Sequence, residues 1–172
     1  MGKNLCDLKG RVAIVTGGNG GIGKGIADGL AAMGAGRTED ARRELDAALR
    51  LDPANLVALN NLGILAMQDG DVERAAELFT RGLAGDDRAE QLANNLGIAR
   101  SRQGRQREAA EAFRRALAIR PGFTPARFNL ALALYRLGKS EDALQELERV
   151  RAEQPDFPEL RATIEEIRAA AP

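Results

Sequence analysis

Histidine and tryptophan are absent from this 172-residue chain, and cysteine and tyrosine occur once each. Without an imidazole there is no histidine general acid or base, no Ser-His-Asp triad and no His-ligated metal. Any catalysis would fall to carboxylates, lysines, Cys6 or Tyr135. A single cysteine makes no intrachain disulfide and no CxxC pair, which fits a reducing compartment. An excess of one charge sign is also missing, with 25 basic residues against 25 acidic ones. Bulk phosphate binding wants a basic surplus, and base stacking wants aromatics, which make up only 3% of the chain. No apolar run approaches the ~20 residues of a membrane helix, and MGKNLCDLKGRVAIV is too short in apolar residues for a signal-peptide core. The expectation is a cytoplasmic protein with no nucleic-acid, membrane or metal partner. What remains, 44% hydrophobic and 29% charged residues, is the composition of a folded domain.

Composition changes near residue 35. Eleven of the 19 glycines fall in the first 36 residues, together with the strand-like run Val12–Val15. Beyond them the chain is rich in Ala, Leu, Arg and Glu, with helical periodicity. That second part repeats. With Gly70, Gly104 and Gly138 in register, NNLGILAMQDGDVERAAELFTRGL lies over NNLGIARSRQGRQREAAEAFRRAL and FNLALALYRLGKSEDALQELERV. Ala75, Ala109 and Ala143 coincide, as do Phe79, Phe113 and Leu147. Pro53, Pro121 and Pro155 fall at one repeat position, where Asp87 is the exception. Each unit reads as helix A, a turn at glycine, then helix B, because glycine accepts the left-handed residue that ends a helix and proline stops the next one.

A 34-residue period with small residues at fixed points resembles the tetratricopeptide repeat, a helix–turn–helix unit. The expected fold class is all-α: an α-solenoid of antiparallel helix pairs. A half repeat covers 36–55, full repeats cover 56–89, 90–123 and 124–157, and 158–172 forms a capping helix with Leu160, Ile164 and Ile167 on one face.

Residues 8–35 carry a second resemblance. Thr16, Gly17, Gly21 and Gly23 match the TGxxxGxG signature of short-chain dehydrogenases, after an apolar run and before a helix-like stretch. In that family such a loop holds NAD or NADP phosphates. The match then stops: GRTEDARRELDAALRLDP has no second strand, Asp40 stands in a helical start, and one strand makes no parallel sheet. The NNLG copies at Asn60–Gly63 and Asn94–Gly97 follow the repeat rather than that family's NNAG motif. Tyr135 and Lys139 have YxxxK spacing, but Gly138 between them is a turn glycine. The segment is therefore read as an orphan strand–Gly loop–helix, left by a natural or artificial fusion. Its helix, Ile22–Met33, stands in for helix A of the first repeat, and Val12–Val15 is free to pair with another copy.

The expected function is non-enzymatic: a scaffold that binds a peptide or protein segment in the concave groove lined by the A helices. Alternatives are an NAD(P)-binding reductase-like protein and a fusion with no dedicated ligand. Asn61, Asn95 and Asn129 recur every 34 residues, and amides suit an extended peptide backbone. Resemblance to the repeat family implies that this position contributes to peptide binding. Asn60, Asn94, Arg102, Tyr135 and Arg136 complete the candidate groove. The family's clamp for chaperone tails wants lysines where Val57, Gln91 and Pro125 stand.

Overall fold

A computed structural model describes residues 38–86 and 88–170. The expectations for the strand Val12–Val15, the loop residues Thr16, Gly17, Gly21 and Gly23, and the surrogate helix Ile22–Met33 lie outside the described residues.

Among the described residues there are eight helices and no strand: α1 (Thr38–Leu51), α2 (Leu56–Gln68), α3 (Val72–Gly85), α4 (Glu90–Arg102), α5 (Gln106–Ile119), α6 (Thr124–Arg136), α7 (Ser140–Glu153) and α8 (Leu160–Ala170). Helices α2, α4 and α6 are the A helices, and α1, α3, α5 and α7 the B helices. Starts and ends within each series step by 34 residues.

The turns explain this regularity. Gly70, Gly104 and Gly138 all have positive φ, 83°, 78° and 77°, a conformation that costs a side-chain-bearing residue about 1–2 kcal/mol. Each stands just past the capping residue of an A helix. The next amide (Asp71, Arg105, Lys139) then reaches back to the carbonyl of Ala66, Arg100 or Leu134 at 2.9–3.0 Å. This bond closes the helix C-terminus and sends the chain directly into helix B. Asp71 caps α3 with its side chain, accepting from the Arg74 amide at 3.0 Å. The B helices α1, α5 and α7 end two residues before Pro53, Pro121 and Pro155.

Close approach inside each pair depends on small residues. A Cβ on Gly63 would lie 2.4 Å from the Phe79 ring, and one on Gly97 2.4 Å from the Phe113 ring. The equivalent pair in the third repeat is Ala131 with Leu147, both fully buried. Where the small residue gains a methyl, its partner shrinks from Phe to Leu. Four buried clusters run along the stack, from Ala41 and Leu45 at one end to Ile164 and Ile167 at the other. Helix α8 turns Leu160, Ile164 and Ile167 onto α7, removing that repeat's apolar face from water.

Candidate peptide groove

Neighbouring A helices, α2 with α4 and α4 with α6, pack on one another, while neighbouring B helices make no comparable contact. The A side is therefore the tighter, inner side of the curve. One face of each A helix looks away from the B helices, and it carries the same three-residue pattern at i, i+3 and i+7. The sets are Asn61, Ile64, Gln68; Asn95, Ile98, Arg102; and Asn129, Leu132, Arg136. Spacing of three and four places each set on one helical stripe.

The amide row is partly engaged in holding the repeats together. Asn95 Nδ2 donates to Asn60 Oδ1 at 2.8 Å, and Asn129 Nδ2 donates to Asn94 Oδ1 at 3.1 Å. Each bond reaches back 35 residues, one more than the repeat, so the A helices are offset by one residue where they touch. The arginines follow the same rule. Arg102 Nη1 donates to the Met67 carbonyl at 3.2 Å, and Arg136 Nη1 donates to Ser101 Oγ at 2.7 Å. Asn61 differs, since its Nδ2 donates to the Val57 carbonyl of its own helix at 2.7 Å.

These bonds sort the sequence-derived candidates. Asn94 is 7% exposed and serves as a rung between repeats. Asn60, Asn61, Asn95 and Asn129 are half-buried, with Asn61 Oδ1 and Asn129 Oδ1 making no hydrogen bond among the described residues. Tyr135 is half-buried and rests against the C-terminal core cluster. Arg102 and Arg136 are exposed at the C-terminal ends of their helices, where a positive charge is favoured. Neither has a carboxylate partner among the described residues, so most of each guanidinium fork faces the groove solvent. Tyr135 lies in the last turn of α6 and Lys139 precedes α7, with Gly138 turning the chain between them.

The aliphatic row, Ile64, Ile98 and Leu132, is half-buried and was not among the sequence-derived candidates. Its signal was present as a 34-residue column of branched aliphatics three residues after the asparagines. Periodicity alone assigns such residues to a core, whereas the structure leaves one side of them open between amides and arginines. The resulting surface has three parallel strips: hydrogen-bonding, apolar and cationic.

Family models described as tetratricopeptide repeat match residues 26–91 and 102–167. Among solved structures, the chain is similar to the MamA protein, with TM-score 0.79 and 22% identity over 86% of this chain and 81% of that one. It is also similar to YrrB, described as a repeat protein with an unusual peptide-binding site, with TM-score 0.73 and 21% identity over 84% and 75% of the two chains. A third is the first repeat domain of Spaghetti (RPAP3) bound to the HSP90 peptide SRMEEVD, with TM-score 0.65 and 24% identity over 67% and 91%. No curated protein sequence matches the chain.

Proposed function

Because the chain belongs to the tetratricopeptide repeat family, we propose that it is a protein–protein interaction scaffold that holds an extended segment of a partner in its inner groove. The observation that carries this reading is the threefold recurrence of amide, aliphatic side chain and Gln or Arg across α2, α4 and α6. An extended strand laid over the three helices meets backbone-directed amides from Asn61, Asn95 and Asn129. Its aliphatic side chains meet Ile64, Ile98 and Leu132, and its acidic ones meet Arg102 and Arg136. Spaghetti (RPAP3), solved with a peptide rich in carboxylates, supports this choice of ligand chemistry.

The same reading makes the protein non-enzymatic, and NAD or NADP a non-ligand. Millimolar cofactor then leaves the melting temperature unchanged, since only a ligand bound to the native state raises it. The groove is tested by site-specific photo-crosslinking. A benzoylphenylalanine in place of Ile98 captures the partner segment, and the same group in place of the exposed Glu77 on α3 does not. Equal capture from both positions, or capture from Glu77 alone, sinks the groove reading.

A further inference from the structure

The inner groove is not the sole cationic surface. A cavity of about 250 Å³ opens between α5 and the α6–α7 turn. Its floor is apolar, made by Ala110, Leu134 and Leu137, and its rim carries Arg107, Arg114, Lys139 and Glu111. Leu134 lies two residues from both Leu132 and Arg136, about 200° around α6, so the cavity opens away from the groove.

Comparison with the equivalent places along the solenoid shows that this notch is unlike its neighbours. One repeat earlier the rim positions are Glu73, Glu77, Thr80 and Arg105, and the floor positions are Ala76, Arg100 and Gln103. There the polar chains are occupied: Gln103 Nε2 donates to the Val72 carbonyl at 3.4 Å, Thr80 Oγ1 donates to the Ala76 carbonyl at 2.7 Å, and Arg100 pairs with Glu108 at 3.4 Å. One repeat later Glu148 replaces Arg114 and pairs with Arg168 of α8 at 3.1 Å. In the middle notch the floor positions hold leucines, Leu134 buried and Leu137 half-buried, and the rim gains Arg107 and Arg114.

The rim cations also form no ion pair among the described residues. Arg105 pairs with Glu108 at 2.6 Å and Arg120 with Glu90 at 3.3 Å. Arg107, Arg114 and Lys139 are exposed and make no ion pair or side-chain hydrogen bond among the described residues. Three cations against the one carboxylate of Glu111 leave a local positive excess over a greasy floor. Pockets for drug-sized ligands begin at about 300 Å³, so this one suits one or two side chains.

We propose that this notch is a second docking site, which takes an acidic peptide segment with an aliphatic side chain on Leu134 and Leu137 and a neighbouring carboxylate between Arg107, Arg114 and Lys139. The site is independent of the groove, and a partner long enough to reach both would gain avidity.

Fluorescence anisotropy tests it with a labelled hexapeptide of alternating glutamate and leucine, and a matched glutamine–leucine peptide as the uncharged probe. The background protein is Arg102→Gln/Arg136→Gln, which gives the groove the residue that Gln68 supplies in the first repeat. In that background the acidic peptide binds saturably, the glutamine peptide binds at least about tenfold more weakly, and added salt weakens the acidic complex. Arg107→Glu/Arg114→Thr, the residues of the preceding notch, weakens binding by about tenfold or more. Leu137→Gln weakens it too, and Glu111→Gln strengthens it. Circular dichroism confirms that each variant keeps its helices. Absence of saturable binding by the acidic peptide overturns the proposal. So does binding that survives Arg107→Glu/Arg114→Thr unchanged, or equal affinity for the two peptides. The groove reading is tested separately by crosslinking and stands or falls without this site.

Discussion

Arg127 of α6 and Glu146 of α7 form an ion pair, Nη1 to Oε2 at 3.1 Å, at repeat positions that are apolar in both preceding repeats. Leu59 and Leu78 share a core cluster in the first full repeat, and Ala93 and Ala112 are buried in the second. The charged pair is nearly enclosed, with side chains 12% and 15% exposed. Arg127 also reaches Glu153 at 3.2 Å and the Pro121 carbonyl, while its Nε is buried with no partner among the described residues. Breaking such a pair costs more than replacing it. Arg127→Ala is expected to destabilise by about 3 kcal/mol, the low end for a broken buried pair, because Glu146 loses its enclosed partner and keeps only Arg149, at 2.8 Å. Arg127→Leu/Glu146→Leu, which copies the first repeat, is expected to be neutral or to stabilise by about 1–4 kcal/mol. Urea unfolding decides this, and a double variant as unstable as the single one would contradict it.

Gly97 and Phe113 give a second test of matched positions. A methyl on Gly97 improves helix propensity by about 1 kcal/mol, but it meets the buried ring at 2.4 Å. Overpacking costs about 1–3 kcal/mol, so Gly97→Ala alone is expected to lose stability. Gly97→Ala/Phe113→Leu reproduces the Ala131–Leu147 pair and recovers at least half of that loss. The double-mutant cycle should show a coupling of about 0.5–3 kcal/mol; simple additivity would mean that the ring shifts without cost.

Backbone conformation separates two other glycines. Gly104, at φ 78°, and Gly122, which lacks a positive φ, both have open space where a methyl group would sit. Gly104→Ala should destabilise by about 1 kcal/mol, and Gly122→Ala should stabilise by about 0.4–1 kcal/mol. Thermal denaturation of the pair measures the difference. Equal shifts would remove backbone strain as the reason for the turn glycine.

The two classes of groove amide should behave oppositely. Asn95→Ala deletes a hydrogen bond to the preceding repeat and should cost about 0.5–1.5 kcal/mol of stability. Asn61→Ala removes only a bond within its own helix, so stability should stay within about 0.5 kcal/mol. Under the proposed function it should nevertheless weaken partner capture about fivefold, the scale of a contact near 1 kcal/mol. Unfolding curves and quantitative pull-downs on the same two variants separate the roles.

Much of the fold is readable in the chain because each repeat marks its own joints. Gly70, Gly104 and Gly138 end the A helices, Pro53, Pro121 and Pro155 follow the B helices, and Gly63 and Gly97 mark the close contacts. The groove is legible as a column of asparagines, but its chemistry is not. That Asn95 bonds Asn60, rather than the Asn61 one period back, depends on the offset between stacked helices, which no periodicity reports. Arg127 and Glu146 look like ordinary solvated charges, since they stand 19 residues apart and meet only when α6 and α7 fold together. The middle notch escapes for a related reason. Its lining is drawn from two successive repeats, and its distinctiveness appears only beside the equivalent places above and below it.

The offset rungs also have a mechanical meaning. Side-chain bonds from Asn95, Asn129, Arg102 and Arg136 all tie one A helix to the next, so the inner edge is the stitched edge of the solenoid. Straightening the curve lengthens that edge first and loads those bonds before it loads the core. A partner segment lying across α2, α4 and α6 spans the same seams and resists the same motion. Under the proposed function, occupancy of the groove and stiffness of the whole rod should then change together, which a pulling experiment on the free and loaded protein would read directly.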